Sequence, residues 1–243
     1  MKKIVLLVAF CLCMGNIFAQ DADKLRDEGD AALNAKNYTE ALAKYGEYLK
    51  LNEYKDTVRI FNCAFSATQA KNYAEAAKYF DMAIKLNYNL DDSYTGAAMA
   101  YRSLNKSEEF FKTVEEGLKA FPGNANLEKM LYSYGIKQGQ AAQKKGDIET
   151  ATKMYKAVLV ASNKKYKEGA LYSLGGMLYN QGATKLTEIY PLASSDPEKY
   201  KAEKAKADAQ LTEAKGYLDK VMELNPNNAN AKKLVDAIAA SLK

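Results

Sequence analysis

Apolar and small residues recur along this chain at helical steps. Ala207, Leu211, Ala214, Leu218 and Val221 are spaced by four and three, and Leu178, Gly182, Leu186 and Ile189 form a second stripe of the same kind. Each spacing gives one face of a helix that needs a partner. Breaks fall at Lys36-Asn37, Lys71-Asn72, Pro122-Gly123, Lys145-Gly146-Asp147, Tyr190-Pro191 and Asn225-Pro226-Asn227-Asn228, where residue types that end one helix and start the next are gathered. Under this pattern lies a repeat. The stretch from Glu28 to Ala41 and the stretch from Gln138 to Ala151 both carry Gly, two alanines, and then Ala twelve residues after the Gly. Ala64 with Ala67 and Ala76, and Ala98 with Tyr101 and Phe110, keep the same offset. Small slots at that spacing let two short antiparallel helices approach closely while Tyr, Phe and Leu fill the seam. A single pair leaves apolar surface exposed, and stacking successive pairs buries it.

These residues match the tetratricopeptide pattern W-x2-L-G-x2-Y, A-x3-F and P, and the chain resembles that family over nearly all of its length after the first nineteen residues. The first unit offers Leu25, Gly29, Ala32, Ala41 and Tyr45, and the second Ile60, Ala64, Ala67, Ala76 and Phe80. The third has Tyr94, Ala98, Tyr101, Phe110, Val114 and Pro122, and the fourth Gly139, Ala142, Ala151 and Tyr155. The fifth begins with Leu171, Leu174, Gly175 and Leu178 and resumes much later with Ala214, Leu218, Val221 and Pro226. The resemblance implies an all-α, right-handed α-solenoid of about five helix pairs, with a long hairpin in the last pair and a C-terminal capping helix. The corresponding ranges are 22–55, 57–90, 91–124, 132–165 and 168–228 with an insert at 183–209, then the cap at 229–242, all within one domain from 20 to 243. The chain is similar to secreted tetratricopeptide proteins of Bacteroidetes that carry an extended last repeat.

Three departures from the pattern carry expectations. Phe110 stands where a small residue belongs, which predicts a less regular third pair unless Ala97 and Ala98 make room. The slot spacings are 35, 34, 41 and 36, so about seven extra residues around Asn126 to Leu131 extend the first helix of the fourth unit. Gly175 to Ala214 is 39 residues rather than twelve, an insertion of about 27 whose two arms are expected to pair as a projecting hairpin.

The N-terminus reads as a leader: Lys2 and Lys3, eleven apolar residues from Ile4 to Met14, a polar break at Gly15-Asn16, and small Ala19 at the cut. The apolar run reaches about half of the roughly 20 residues needed to span a bilayer. Phe10 and Leu12 precede Cys11 and Cys13 where a lipobox needs a small residue, so a cleaved signal peptide over 1–19 and a periplasmic or secreted protein, not a lipoprotein, are expected. Cleavage would leave Cys63 as the sole cysteine, on an apolar helix face, with no disulfide partner. It would also take Lys plus Arg from 35 to 33 against 30 acids, too small an excess to force an anionic partner.

The chain contains no histidine and no tryptophan, which removes histidine triads, histidine metal sites and imidazole acid–base catalysis. No glycine-rich phosphate loop, Ser-x-x-Lys nucleophile, paired cysteine ligands or Asp-rich calcium loop stands in persuasive context. The expectation is a non-catalytic protein without cofactor or metal, working as a protein–protein interaction scaffold. In the resembled family the binding groove is lined by the first helix of each pair. Projected onto this sequence, that face carries Arg26 and Asp30, then Phe61, Asn62 and Phe65, then Thr95, Met99 and Arg102, then Ile136, Gln140 and Gln143, then Tyr172 and Tyr179. Phe61, Phe65 and Met99 would form an apolar pocket, or the two rings would pack between repeats. Arg26 and Asn62 partly resemble the carboxylate clamp of chaperone-binding members, but Asp30 would repel a carboxylate there.

Eight lysines, Lys137, Lys144, Lys145, Lys153, Lys156, Lys164, Lys165 and Lys167, face only Asp147 and Glu149 in that stretch, a local charge of +6. They are a solvated helix face, or the alternative function: a cell-envelope or glycan-binding module that adds the groove tyrosines. With 32 Lys against three Arg, nucleic acid is not the partner. No integral membrane span is expected after signal cleavage. Envelope association and self-association through the fifth-repeat hairpin stay open beside a protein partner.

Overall fold

The computed structural model describes residues 21–243, so the leader read in residues 1–19 lies outside the described residues. Every regular element among them is helical. In chain order these are α1 (21–34), α2 (Tyr38–Leu51), α3 (Thr57–Gln69), α4 (Tyr73–Lys85), α5 (Leu90–Ser103), α6 (Ser107–Ala120), α7 (Ala125–Lys144), α8 (Ile148–Ala157), α9 (Lys164–Ile189), the one-turn α10 (Leu192–Ser195), α11 (Pro197–Leu224) and α12 (Ala229–Ser241). A single 3₁₀ turn, Val158–Val160, follows α8. The chain divides into two compact units, one ending at Phe121 and the other starting at Pro122.

The hairpin turns are made by one repeated device. At the end of α1, Lys36 takes φ +59° and its N–H bonds to Leu33 O, while the N–H of Asn37 reaches Ala32 O at 2.8 Å. That is the left-handed closure that satisfies the last carbonyls of a helix. The side chain of the same Asn37 accepts from the Glu40 N–H and starts α2, satisfying an orphan donor of the new helix. Lys71-Asn72 and Gly146-Asp147 repeat the arrangement residue for residue. The turn at Asn105-Lys106 keeps the backbone closure but has no side-chain cap.

In the first unit, Tyr45, Leu49, Ile60, Ala64, Ala76, Phe80, Ala83 and Ala97 form the centre of one apolar cluster. A Cβ placed on Gly29 would sit 2.7 Å from the Tyr45 ring, and one on Gly96 would sit 2.3 Å from Phe80. In the second unit Gly139 stands in the same relation to Tyr155, at 2.3 Å, and Gly175 to Leu218, at 2.6 Å. Cys63 is fully buried and burial pushes its thiol up to about 12, so it stays protonated and serves as a packing residue.

Phe110 does not interrupt the third pair. It is fully buried, edge-on to Phe111, and both α5 and α6 run fourteen residues without a break; Ala97 and Ala98 are themselves fully buried. α7 has twenty residues and takes in Asn126 to Leu131. Its Glu128, buried in the first turn, accepts the N–H of Ser162 and ties down the connection to α9. α9 and α11, of 26 and 28 residues, make the most extensive helix–helix contact of the described chain. Their seam is Leu174, Gly175, Leu178 and Gly182 against Ala207, Leu211, Ala214 and Leu218. The Glu168 carboxylate accepts from Asn225 and Asn228, both at 2.8 Å, and so fixes the turn that launches α12.

Gly139→Ala should lower stability by about 1–3 kcal/mol because the Tyr155 ring cannot retreat, whereas Gly216→Ala, with nothing within 4 Å of the new methyl, should raise it by up to about 1 kcal/mol. Urea denaturation of the two variants measures both signs. In a chain starting at Asp21, Cys63 should resist a disulfide-exchange reagent at neutral pH and react only as urea unfolds the first unit.

Candidate functional site

The first helices of the first three pairs, α1, α3 and α5, carry the candidate face of the first unit. Asp30 near the end of α1 is its electrostatic centre. The Tyr45 hydroxyl of α2 donates to Asp30 Oδ1 at 2.7 Å, and the Arg59 guanidinium of α3 donates to both carboxylate oxygens, at 3.3 and 2.5 Å. Arg59 also faces Asp56, the N-cap of α3, at 3.8 Å. Asn62, one turn further on, partly opposes the upward push on the Tyr45 phenol. Burial of Asp30 opposes its ionisation, but the bonds from Arg59 and Tyr45 outweigh that and hold its carboxyl below the usual range. Burial and the Asp30 carboxylate together push the Tyr45 phenol upward, so it remains a donor.

Asp30 is thus not the free, repelling anion that the sequence suggests; its charge is answered within the chain. Arg26 is engaged as well, with Asp23 at 2.8 Å and Asp27 at 2.9 Å along its own helix. The two phenylalanines do not make one pocket. Phe61 is half-buried and edge-on to Phe80 and Tyr88, at 5.7 and 6.0 Å between ring centroids, which makes it a seam residue. Phe65 is 39% exposed and edge-on to Tyr38 at 6.0 Å. Met99 and Arg102 are half-buried on α5, and the buried hydroxyl of Thr95 has no hydrogen-bond partner.

In the second unit, Ile136, Tyr172 and Tyr179 pack against the apolar cluster, and Gln140 is exposed on α7. Gln143 accepts from the Tyr155 hydroxyl at 3.0 Å. Of the eight lysines, Lys137, Lys144, Lys145, Lys153, Lys156, Lys164 and Lys165 are exposed and Lys167 is half-buried. They lie on α7, the turn after it (Lys145), α8 and the first turn of α9, and Lys156 Nζ is 5.8 Å from the Tyr217 ring centroid. Among the described residues, no group of three or more Cys, Asp and Glu side chains could hold a metal ion, and no helix is long and apolar enough to cross a membrane.

Arg59 is the residue that the sequence reading missed. It falls outside the positions projected from the repeat, and its signal lay elsewhere: an acid at the half-buried Asp30 position requires a cation from the next pair.

Comparison with known structures assigns the architecture. A TPR repeats protein from Bacteroides fragilis NCTC 9343, known from its crystal structure, is 47% identical to this chain over 90% of it and 98% of that chain, with a TM-score of 0.79. This chain belongs to the TPR repeat family. The MamA protein (12% identity, 87% of this chain and 96% of that one, TM-score 0.43) and a tetratricopeptide repeat protein from Parabacteroides merdae ATCC 43184 (12%, 90% and 99%, 0.41) are more distant and add nothing to that assignment. No family model matches the chain. Membership makes a protein–protein interaction scaffold the general reading of this TPR architecture.

The folded-state depression at Asp30 sets a pH dependence. Stability from the Asp30–Arg59 pair should be complete above the ordinary carboxylate pKa of about 4 and should be lost as the pH falls through the lower folded value. Urea midpoints measured between about pH 2 and pH 6 should fall more steeply on acidification in the parent than in Asp30→Asn.

Proposed function

We propose that this TPR protein is an exported, non-catalytic scaffold that binds a segment of a protein partner on the α1–α3–α5 face of its first unit. One observation carries the reading: Phe65 stays 39% exposed on α3, whereas the seam rings of the same unit, Tyr45 and Phe80, are buried. Asn62 on the same helix, and Met99 and Arg102 on α5, also leave part of their surface to solvent. An exposed aromatic with an adaptable thioether and hydrogen-bonding groups suits a mixed apolar and polar peptide. The helices are already ordered, so binding costs little conformational entropy on the scaffold's side. Export rests on the leader grammar of Lys2 to Ala19.

Crosslinking capture from cell envelope, with the mature chain as bait, tests the reading. Phe61→Glu would break the seam, so the informative variant is Phe65→Glu, with Met99→Glu as a second; both should leave helicity unchanged. The proposal expects a protein captured by the parent and lost by at least one variant. Equal capture by parent and variants overturns it. If the captured material is also released steeply between low and high salt, the exposed lysines of α7, α8 and α9 are the working surface.

A further inference from the structure

A cleft of 540 Å³ lies wholly inside the second unit, where the turn between α7 and α8 meets the middle of the long α9–α11 hairpin. Its size is within the range of ligand pockets, about 300–1,000 Å³. It exists because the hairpin arms run past that turn and leave a shelf beside it. None of its residues lies on the α1–α3–α5 face.

The floor is apolar, made by Ile148, Met177 and Ala207. The wall is built of carboxamides. Gln210 on α11 donates to the Gln181 Oε1 on α9 at 2.8 Å, bridging the two arms. That bond leaves the Gln181 amide hydrogens as donors and the Gln210 oxygen as an acceptor. Gln143 spends its oxygen on the Tyr155 hydroxyl and keeps its own donors, and Asn180 stands exposed on the rim. Donors and an acceptor side by side over an apolar floor match the C=O and N–H groups of a polypeptide main chain.

The charges at the rim cancel. Lys185 and Lys206 line the cleft and both pair with Glu203, at 2.9 and 2.7 Å, while Glu188 on the lining supplies the second negative charge. A neutral rim gives neither a cationic nor an anionic ligand an electrostatic advantage. No aromatic residue lines the cleft, so it offers no flat face on which the C–H surface of a sugar ring would stack.

We propose that this cleft binds an uncharged, extended peptide segment, its main chain held by the carboxamides of Gln143, Gln181 and Gln210 and one apolar side chain seated on Ile148, Met177 and Ala207. This rests on the reading of the chain as a protein-binding scaffold and adds a second, separate site to it.

The test selects short random peptides displayed on phage against the whole described chain and measures selected peptides by fluorescence anisotropy. The expected winners are uncharged with an apolar anchor, and their affinity changes little between about 50 mM and about 300 mM salt. Gln181→Ala with Gln210→Ala should weaken them about tenfold or more. Asn180→Glu, an exposed change that leaves the inter-arm bond intact, should weaken them as well, whereas Phe65→Glu in the first unit should not. Winners lost by Phe65→Glu and kept by the cleft variants would overturn this site while leaving the scaffold reading in place. Winners that are charged and salt-sensitive overturn it too. If no peptide is enriched, the proposal falls, and binding of a neutral oligosaccharide panel that disappears in the Gln181, Gln210 variant would assign the cleft to sugars.

Discussion

The structure depends on how closely the two helices of a pair approach, and in the first, fourth and fifth pairs that distance is set by a missing side chain facing a large one. Gly29 lies against Tyr45, Gly139 against Tyr155 and Gly175 against Leu218, each leaving no room for a methyl group. In the first two the partner is sixteen residues on; in the third the same partner stands 43 residues away because of the insertion. The contact has been kept while the chain between its halves has grown. With that approach fixed, the alanines of the remaining slots are buried, and each new pair finds a surface already shaped to receive it.

The turns impose a second constraint. Asn37, Asn72 and Asp147 each close one helix with the backbone N–H and open the next with the side chain. A single residue therefore sets both the end of one helix and the phase of its successor. α3 is started by a different cap, Asp56, whose side chain accepts the Arg59 N–H, and on the helix so placed Arg59 meets Asp30 while Phe61 turns into the seam. The candidate face is what the packing has not used, and its polar members are held by the Asp30, Tyr45 and Arg59 bonds rather than left to move independently.

Much of the fold is legible in the sequence because it is periodic. The small slots, the ring positions and the breaks at Lys36-Asn37 and Lys145-Gly146-Asp147 obey local rules, and the stripe from Ala207 to Val221 is buried along its whole length. The site is less legible because it is made of non-local pairings. Nothing in the spacing of Phe61 and Phe65 says that one ring meets Phe80 and the other Tyr38. The Asp30–Arg59 pair spans 29 residues, which is no multiple of the repeat. Phe110 shows a related limit: the pattern points to Ala97 and Ala98 as room for the ring, but only the packed pair shows all three fully buried with both helices unbroken. The cleft beside the middle of the hairpin has no sequence signature, since it arises from the mismatch in length between neighbouring pairs.

That mismatch has a mechanical meaning. A helix of 26 residues is about 39 Å long, against about 20 Å for one of thirteen, so the outer part of the α9–α11 hairpin acts as a cantilever held chiefly by its own internal seam. Bending loads on its tip, where Tyr190 is 73% exposed, are borne by Gly182 against Leu211 and by the Lys185–Glu203 pair across the arms. Because the two arms are nearly equal in length, reach can be tuned by adding matched turns to each arm without disturbing the phase of any earlier pair, which makes length an adjustable dimension here.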